Sequence, residues 1–288
     1  MDQEIEKAIL TAQRNEITEH HVYGRLSRSM KAPHNRDILQ KISEDEKAHY
    51  HFWKQFTRQD VKPDAWAVWK FTLISRLFGI TFGIKLMERG EAKAQASYAE
   101  IGRSIPGARE IQNDEYTHEK ELIGMVDEER LKYVGSVVLG LNDALVELTG
   151  ALAGFTLALQ NTRFIAMAGL ITGIAASLSM AASEYLSTKT EGSTQDPWRA
   201  ALYTGSTYIL TVLFLIFPYF VTGNYFAALG VTLGNAVLLI LLFNFYVSVA
   251  KDIPFWKRFL EMAGISLGVA ALSFVMGFLV RVFLNVDI

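Results

Sequence analysis

Residues 134–159 read VGSVVLGLNDALVELTGALAGFTLAL, a run whose only charged residues are Asp143 and Glu147. It exceeds the ~20 apolar residues needed to cross a bilayer core. Four more such stretches follow, at Phe164–Leu186, Trp198–Thr222, Tyr225–Ala250 and Phe255–Leu284. The separators are short and polar: Gln160 to Arg163, Ser187 to Pro197, Thr222 to Asn224, and Lys251 to Pro254. A water-soluble helical bundle needs a polar stripe on each helix, and none of these has one. Residues 134–288 therefore read as a five-helix transmembrane domain, and residues 1–133 as a separate soluble one.

The charge distribution supports that division. Of the 58 Asp, Glu, Lys and Arg residues, 43 lie at or before Lys132 and 15 after it. All six histidines also fall in the first part. Net charge is −2, and no basic patch interleaved with aromatics suggests a nucleic-acid partner. The chain has no cysteine, which excludes disulfides and thiolate metal sites. Its first thirty residues are polar and helical in pattern, so no cleavable signal peptide is expected. Loops on the N-terminal side carry Lys189, Arg199, Lys251, Lys257 and Arg258, against Arg163 and Arg281 opposite. The positive-inside rule then predicts a multi-pass protein of the cell (inner or plasma) membrane, with a cytoplasmic N-terminal domain and the C-terminus outside.

Carboxylates inside such spans need a reason, since Asp at a helix centre costs about 2.5–3.5 kcal/mol on insertion scales. Asp143 and Glu147 are four apart, hence on one helical face. Met180 and Glu184 repeat that spacing on the second span, and Glu261 opens the fifth. Hard oxygens with one soft thioether suit a divalent transition metal. The second span is also rich in small residues (Gly169, Gly173, Ala176, Ser177, Ala181), which fit a tight subunit interface or close packing within one chain.

In residues 1–133 four helices are predicted, at Asp2–Ser29, His34–Asp60, Ala65–Ile101 and Pro106–Leu131, an all-α bundle broken at prolines and glycines. The second carries Glu46-Lys-Ala-His49 and the fourth Glu115-Tyr-Thr-His118. Glu and His three apart point the same way. Carboxylate-bridged di-iron bundles use this motif on two helices, plus a Glu from each of the other two. Glu16 on the first helix and Glu88 or Glu91 on the third supply those candidates. The third helix is nearly all apolar from Trp66 to Met87, interrupted mainly by Lys70, Thr72, Ser75, Arg76 and Lys85. That run either packs in a dimer or lies on the bilayer, and burial in a dimer is the preferred expectation.

Residues 1–130 resemble the rubrerythrin branch of the ferritin-like superfamily through Glu16, Glu46-x-x-His49, Gly90-Glu91 and Glu115-x-x-His118. Ala94 stands where rubrerythrins often carry another carboxylate, which argues against peroxidase-type switching. Residues 134–288 resemble the vacuolar iron transporter family. The matching stretches are Gly140-Leu-Asn-Asp143-Ala-Leu and Ser179-Met180-Ala-Ala-Ser-Glu184-Tyr185-Leu-Ser. In that family the corresponding aspartate and methionine line the path at a dimer interface, and iron or manganese moves against protons. The chain departs from plant relatives at Thr172, where they have a glutamate, and in its short Ser187–Pro197 connection. Together the halves resemble bacterial membrane-bound ferritin fusions.

The resemblance implies a homodimeric, proton-coupled exporter of Fe(II), with Mn(II) as an alternative cargo. A cytosolic di-iron site would use Glu16, Glu46, His49, Glu88 or Glu91, Glu115 and His118. On the resemblance the path would use Asp143 and Met180, and the four-residue spacing adds Glu147 and Glu184. Two rivals stay open: a membrane-anchored di-iron oxidase or peroxidase, including ferroxidase activity in the soluble domain, and an iron sensor without transport.

Overall fold

The computed structural model describes residues 3–87, 89, 105, 107–124, 132–192 and 195–284. Their regular structure is entirely helical, with no strand among them. The helices are α1 (Gln3–Ser29), α2 (Pro33–Thr57), α3 (Ala65–Phe78), α4 (Ala108–Gly124), α5 (Val134–Leu159), α6 (Thr162–Thr190), α7 (Pro197–Val221), α8 (Tyr225–Lys251) and α9 (Phe255–Leu284). The chain divides into two compact units, Met1–Glu128 and Glu129–Ile288.

In the first unit α1 packs along α2, while α3 leans on α1 and α4 on α2. Two apolar layers form. One joins Ile9 and Ala12 of α1 to Trp53 of α2 and to Ala108 and Ile111 of α4. The other joins Val22, Tyr23 and Leu26 of α1 to Leu39 and Ile42 of α2, Val68 of α3 and Leu122 of α4. Between these layers α1, α2 and α4 carry polar side chains: Glu16, then Glu46 and His49, then Glu115 and His118. Apolar packing thus brackets the charged middle and fixes the helices that present it.

The expected third helix, Ala65–Ile101, does not run unbroken. It opens on Asp64, whose side chain accepts from the N–H groups of Trp66 and Ala67. It stops at Gly79, with φ 101° and an N–H that donates to the Ser75 carbonyl. That backbone region is open to glycine and costly for other residues, which is why glycine ends helices so often. Residues 80–87 are helical again. The remainder of the expected helix, with Glu88 and Glu91, lies outside the described residues.

In the second unit all five helices are long and apolar enough to cross a membrane. They begin and end within a few residues of the predicted spans. Asn161, Asp196 and Asn224 cap α6, α7 and α8 by accepting from N–H groups of the first turn. Helix α5 is central, contacting each of the other four. Glycines set its crossings. A Cβ on Gly140 would collide with the Thr204 carbonyl of α7, and one on Gly277 of α9 with the Gly154 carbonyl of α5. Close approach of backbones is what small residues supply where lipid gives no hydrophobic drive between helices. The small residues of α6 act likewise inside the chain: Gly173 faces Val212, Gly169 faces Leu152 of α5, and Ser177 donates to the Gly205 carbonyl of α7 at 2.9 Å. Gly169, Gly173 and Ser177 of that stripe are thus used for close packing within the chain.

Candidate metal centre

Glu16, Glu46, His49 and Glu115 each offer a ligand atom, and these atoms all lie within 4.8 Å of one another. Three helices contribute: α1 gives Glu16, α2 gives Glu46 and His49, and α4 gives Glu115. His49 Nδ1 is the hub, 3.2 Å from Glu46 Oε2, 3.4 Å from Glu115 Oε1 and 3.6 Å from Glu16 Oε2. Trp53 donates its indole N–H to Glu16 Oε1 at 3.0 Å, fixing that carboxylate from the apolar layer below.

His118 adjoins the group through the same glutamate. Its Nδ1 lies 3.2 Å from Glu46 Oε1. It is buried there without the alignment of a hydrogen bond. Glu46 thus turns one oxygen to each histidine, the disposition of a carboxylate able to bridge two ions. The imidazole rings stand 5.9 Å apart. Of the residues expected here, Glu16, Glu46, His49, Glu115 and His118 are brought together, while Glu88 and Glu91 lie outside the described residues. His20 turns elsewhere, its Nδ1 2.6 Å from the Ser43 carbonyl oxygen.

Two aspartates complete the cluster without having been anticipated. Asp45 Oδ2 lies 3.1 Å from His118 Nε2, and Asp114 Oδ2 lies 3.4 Å from His49 Nε2. Each aspartate precedes the glutamate of its own helix and serves the histidine of the other. The signal was available: both motifs read Asp-Glu-x-x-His. A carboxylate on the far nitrogen fixes the tautomer of a ligating histidine and raises its basicity.

The electrostatics suit cations. Burial pushes the Glu16 carboxyl up to about 8, with repulsion from Glu46 adding to it and the His49 hydrogen bond opposing it. Burial pulls His49 down, but its hydrogen bonds to Glu115, Glu16 and Glu46 outweigh this and hold it well above the usual range. His118 follows the same logic: burial lowers it, Glu46 and Asp45 raise it, and it stands at about 9. Protons therefore occupy the places where metal ions would sit. Three carboxylates, a histidine with its Nδ1 facing them, and a second histidine with an unsatisfied buried Nδ1 fit a site for one or two divalent ions. Oxygen and imidazole donors together favour a first-row transition metal over magnesium or calcium.

The membrane unit holds its polar residues differently. Glu147 of α5 accepts from the Tyr208 hydroxyl of α7 at 2.8 Å. Glu184 of α6 accepts from the Ser136 hydroxyl of α5 at 2.6 Å, and Thr204 of α7 donates to the Ser136 carbonyl at 3.0 Å. Asp143 is half-buried, and Met180 packs against the apolar core of the unit. Among the described residues, the cluster of the first unit is the one group of three or more His, Asp or Glu close enough to share an ion. Asp143, Glu147 and Glu184 do not gather into such a cage within one chain. Tyr208 and Ser136 are the partners the sequence reading missed, although a tyrosine midway along an apolar span is itself a signal.

No curated protein and no solved structure matches the chain. Residues 134–196, which comprise α5, α6 and the connection to α7, match the VIT family, a likeness confined to that part of this multi-pass membrane protein and one that suggests metal-ion transport.

Proposed function

We propose that the protein is a homodimeric, proton-coupled exporter of Fe(II), with Mn(II) as a second cargo. In this reading the N-terminal unit is a ferritin-like, rubrerythrin-type bundle on the cytosolic side, with the C-terminus outside. One observation carries it: a VIT family match over the segment bearing Asp143, Glu147, Met180 and Glu184, in the same chain as a buried Glu/His cluster suited to transition metals. Glu16, Glu46, His49, Glu115 and His118 would hold the ions of a di-iron site, completed by Glu91 or Glu88. That site captures or senses metal. Asp143, Glu147, Met180 and Glu184 pass it across, with the two-fold partner supplying a second set of the same side chains, since one chain alone does not close a cage.

Proton coupling follows from the chemistry of the ligands. Carboxylates must be deprotonated to bind metal, so an ion entering the path displaces protons and an ion leaving it admits them. Loop charges support the orientation.

The test is flux in proteoliposomes of the purified full chain, with Fe(II) or Mn(II) on one side and a pH gradient across the bilayer. Metal uptake that depends on the protein and responds to the gradient is expected. A second reading rests on the buried cluster alone: a di-iron oxidase or sensor held at the membrane by the spans. Absence of flux with both metals would favour it over export.

A further inference from the structure

Helix α3 carries a surface that the metal chemistry does not use. Its buried residues are Val68, Thr72 and Ser75. The opposite face presents Trp66, Trp69, Leu73 and Leu77, at spacings of three and four that place them along one line of the helix. Trp66 is 65% exposed and Trp69 50%, and their rings stack with centroids 4.9 Å apart. Lys70 flanks this strip on one side and Arg76 on the other. The helix contains no acidic residue.

We propose that this face of α3 docks on the surface of the bilayer that the same chain crosses, with its tryptophans at headgroup level and Lys70 and Arg76 reaching anionic lipid phosphates. An amphipathic helix with Trp and Leu on one side and cations at its margins is the form that lies in a membrane interface. The chain uses the same pairing elsewhere. Exposed Trp198 precedes Arg199 at the start of α7, and exposed Trp256 precedes Lys257 and Arg258 at the start of α9. Trp is enriched at membrane–water interfaces because its ring is apolar and its N–H polar. Four of the five tryptophans thus stand exposed beside cations, and only Trp53 is core. Charge also selects lipid over a second copy of α3. Two copies meeting on this strip would bring Lys70 and Arg76 from both sides together with no carboxylate from the helix to offset them. An anionic leaflet supplies that offset. The proposal needs only that the chain spans a bilayer, and it stands whether or not the protein carries metal.

The test uses the absence of cysteine. Leu73→Cys in the full chain is labelled with a nitroxide and reconstituted in vesicles of phosphatidylcholine and phosphatidylglycerol. Collisions with oxygen, which partitions into lipid, are compared with collisions with a water-soluble nickel complex. Glu44→Cys, on the exposed side of α2, is the aqueous reference. The oxygen-to-nickel ratio at residue 73 is expected to exceed the reference several-fold. It should fall towards the reference in the Lys70→Glu, Arg76→Glu protein and in vesicles of phosphatidylcholine alone. A ratio at 73 equal to that at 44 would overturn the proposal. So would a label shielded from both reagents and dipolar-coupled to a second label, which is the signature of a second copy. Insensitivity of a high ratio to both the charge reversal and the lipid change would overturn the headgroup contact.

Discussion

In the N-terminal unit Glu16, Glu46, His49 and Glu115 gather ligand atoms within 4.8 Å, whereas in the membrane unit Glu147 turns to the Tyr208 hydroxyl and Glu184 to that of Ser136. Both sets are acidic and both sit on helices, yet only the first is a cage. The first unit can gather like charges because two histidines answer them and two apolar layers hold the helices in place. Three gathered carboxylates without such compensation would be prohibitive where water is excluded. Hydroxyl partners leave Glu147 and Glu184 separately satisfied. A site that must release its ion gains from this, since transport requires binding weak enough to leave. Under the proposed function, the comparison assigns tight capture to the first unit and passage to the second, and each prediction below separates the two.

The largest effect is expected from Glu46→Ala combined with Glu115→Ala. Two of the four clustered ligands, including the one shared with His118, are removed. Metal bound by the purified full chain should fall almost to background, while flux at saturating metal persists. Unchanged bound metal would show that the cluster is not the site. Next come Asp45→Asn and Asp114→Asn together. They leave every ligand in place but remove the carboxylates behind the two histidines, and should weaken binding about 10–100-fold, measured by competition with a chelator.

The pH dependence has a definite sign. With Glu16 at about 8, His49 above its usual range and His118 at about 9, the metal-free site holds protons at neutral pH. These must leave as metal enters. Apparent affinity should therefore rise with pH, by about tenfold per unit for each proton displaced, and rise less steeply above about 9, where only the His49 proton is left to displace. Proton release on adding Fe(II) or Mn(II) in weak buffer measures this directly. Affinity independent of pH between 6 and 8 would contradict the protonated state. The smallest effect is Met180→Leu, which keeps volume and costs at most about 1.5 kcal/mol in packing. Flux of transition metals should drop a few-fold while the cluster of the first unit fills as before.

The five membrane helices were legible because composition alone decides them: no soluble helix could hide Tyr225–Lys251. The Glu-x-x-His pairs on α2 and α4 were legible because the spacing puts both side chains on one face. The break at Gly79 was not legible, because the apolar run from Trp66 to Met87 continues straight through it. Once α3 ends at Phe78, its all-round apolarity resolves into a buried side at Val68 and Thr72 and an exposed one at Trp66 and Trp69. The hydroxyl partners in the membrane lay beyond sequence reach for a different reason. That Ser136 meets Glu184, or Tyr208 meets Glu147, depends on how α5, α6 and α7 cross, and no periodicity encodes the crossing of three separate helices.

The central claim is that the membrane unit moves metal along its own carboxylates, independently of the cluster in the first unit. Asp143→Ala in the full chain, reconstituted in vesicles, tests it most directly, with metal bound at that cluster measured on the same preparation. The account predicts near-complete loss of Fe(II) flux with the cluster still loaded. Flux at the parent rate from the Asp143→Ala protein would contradict it.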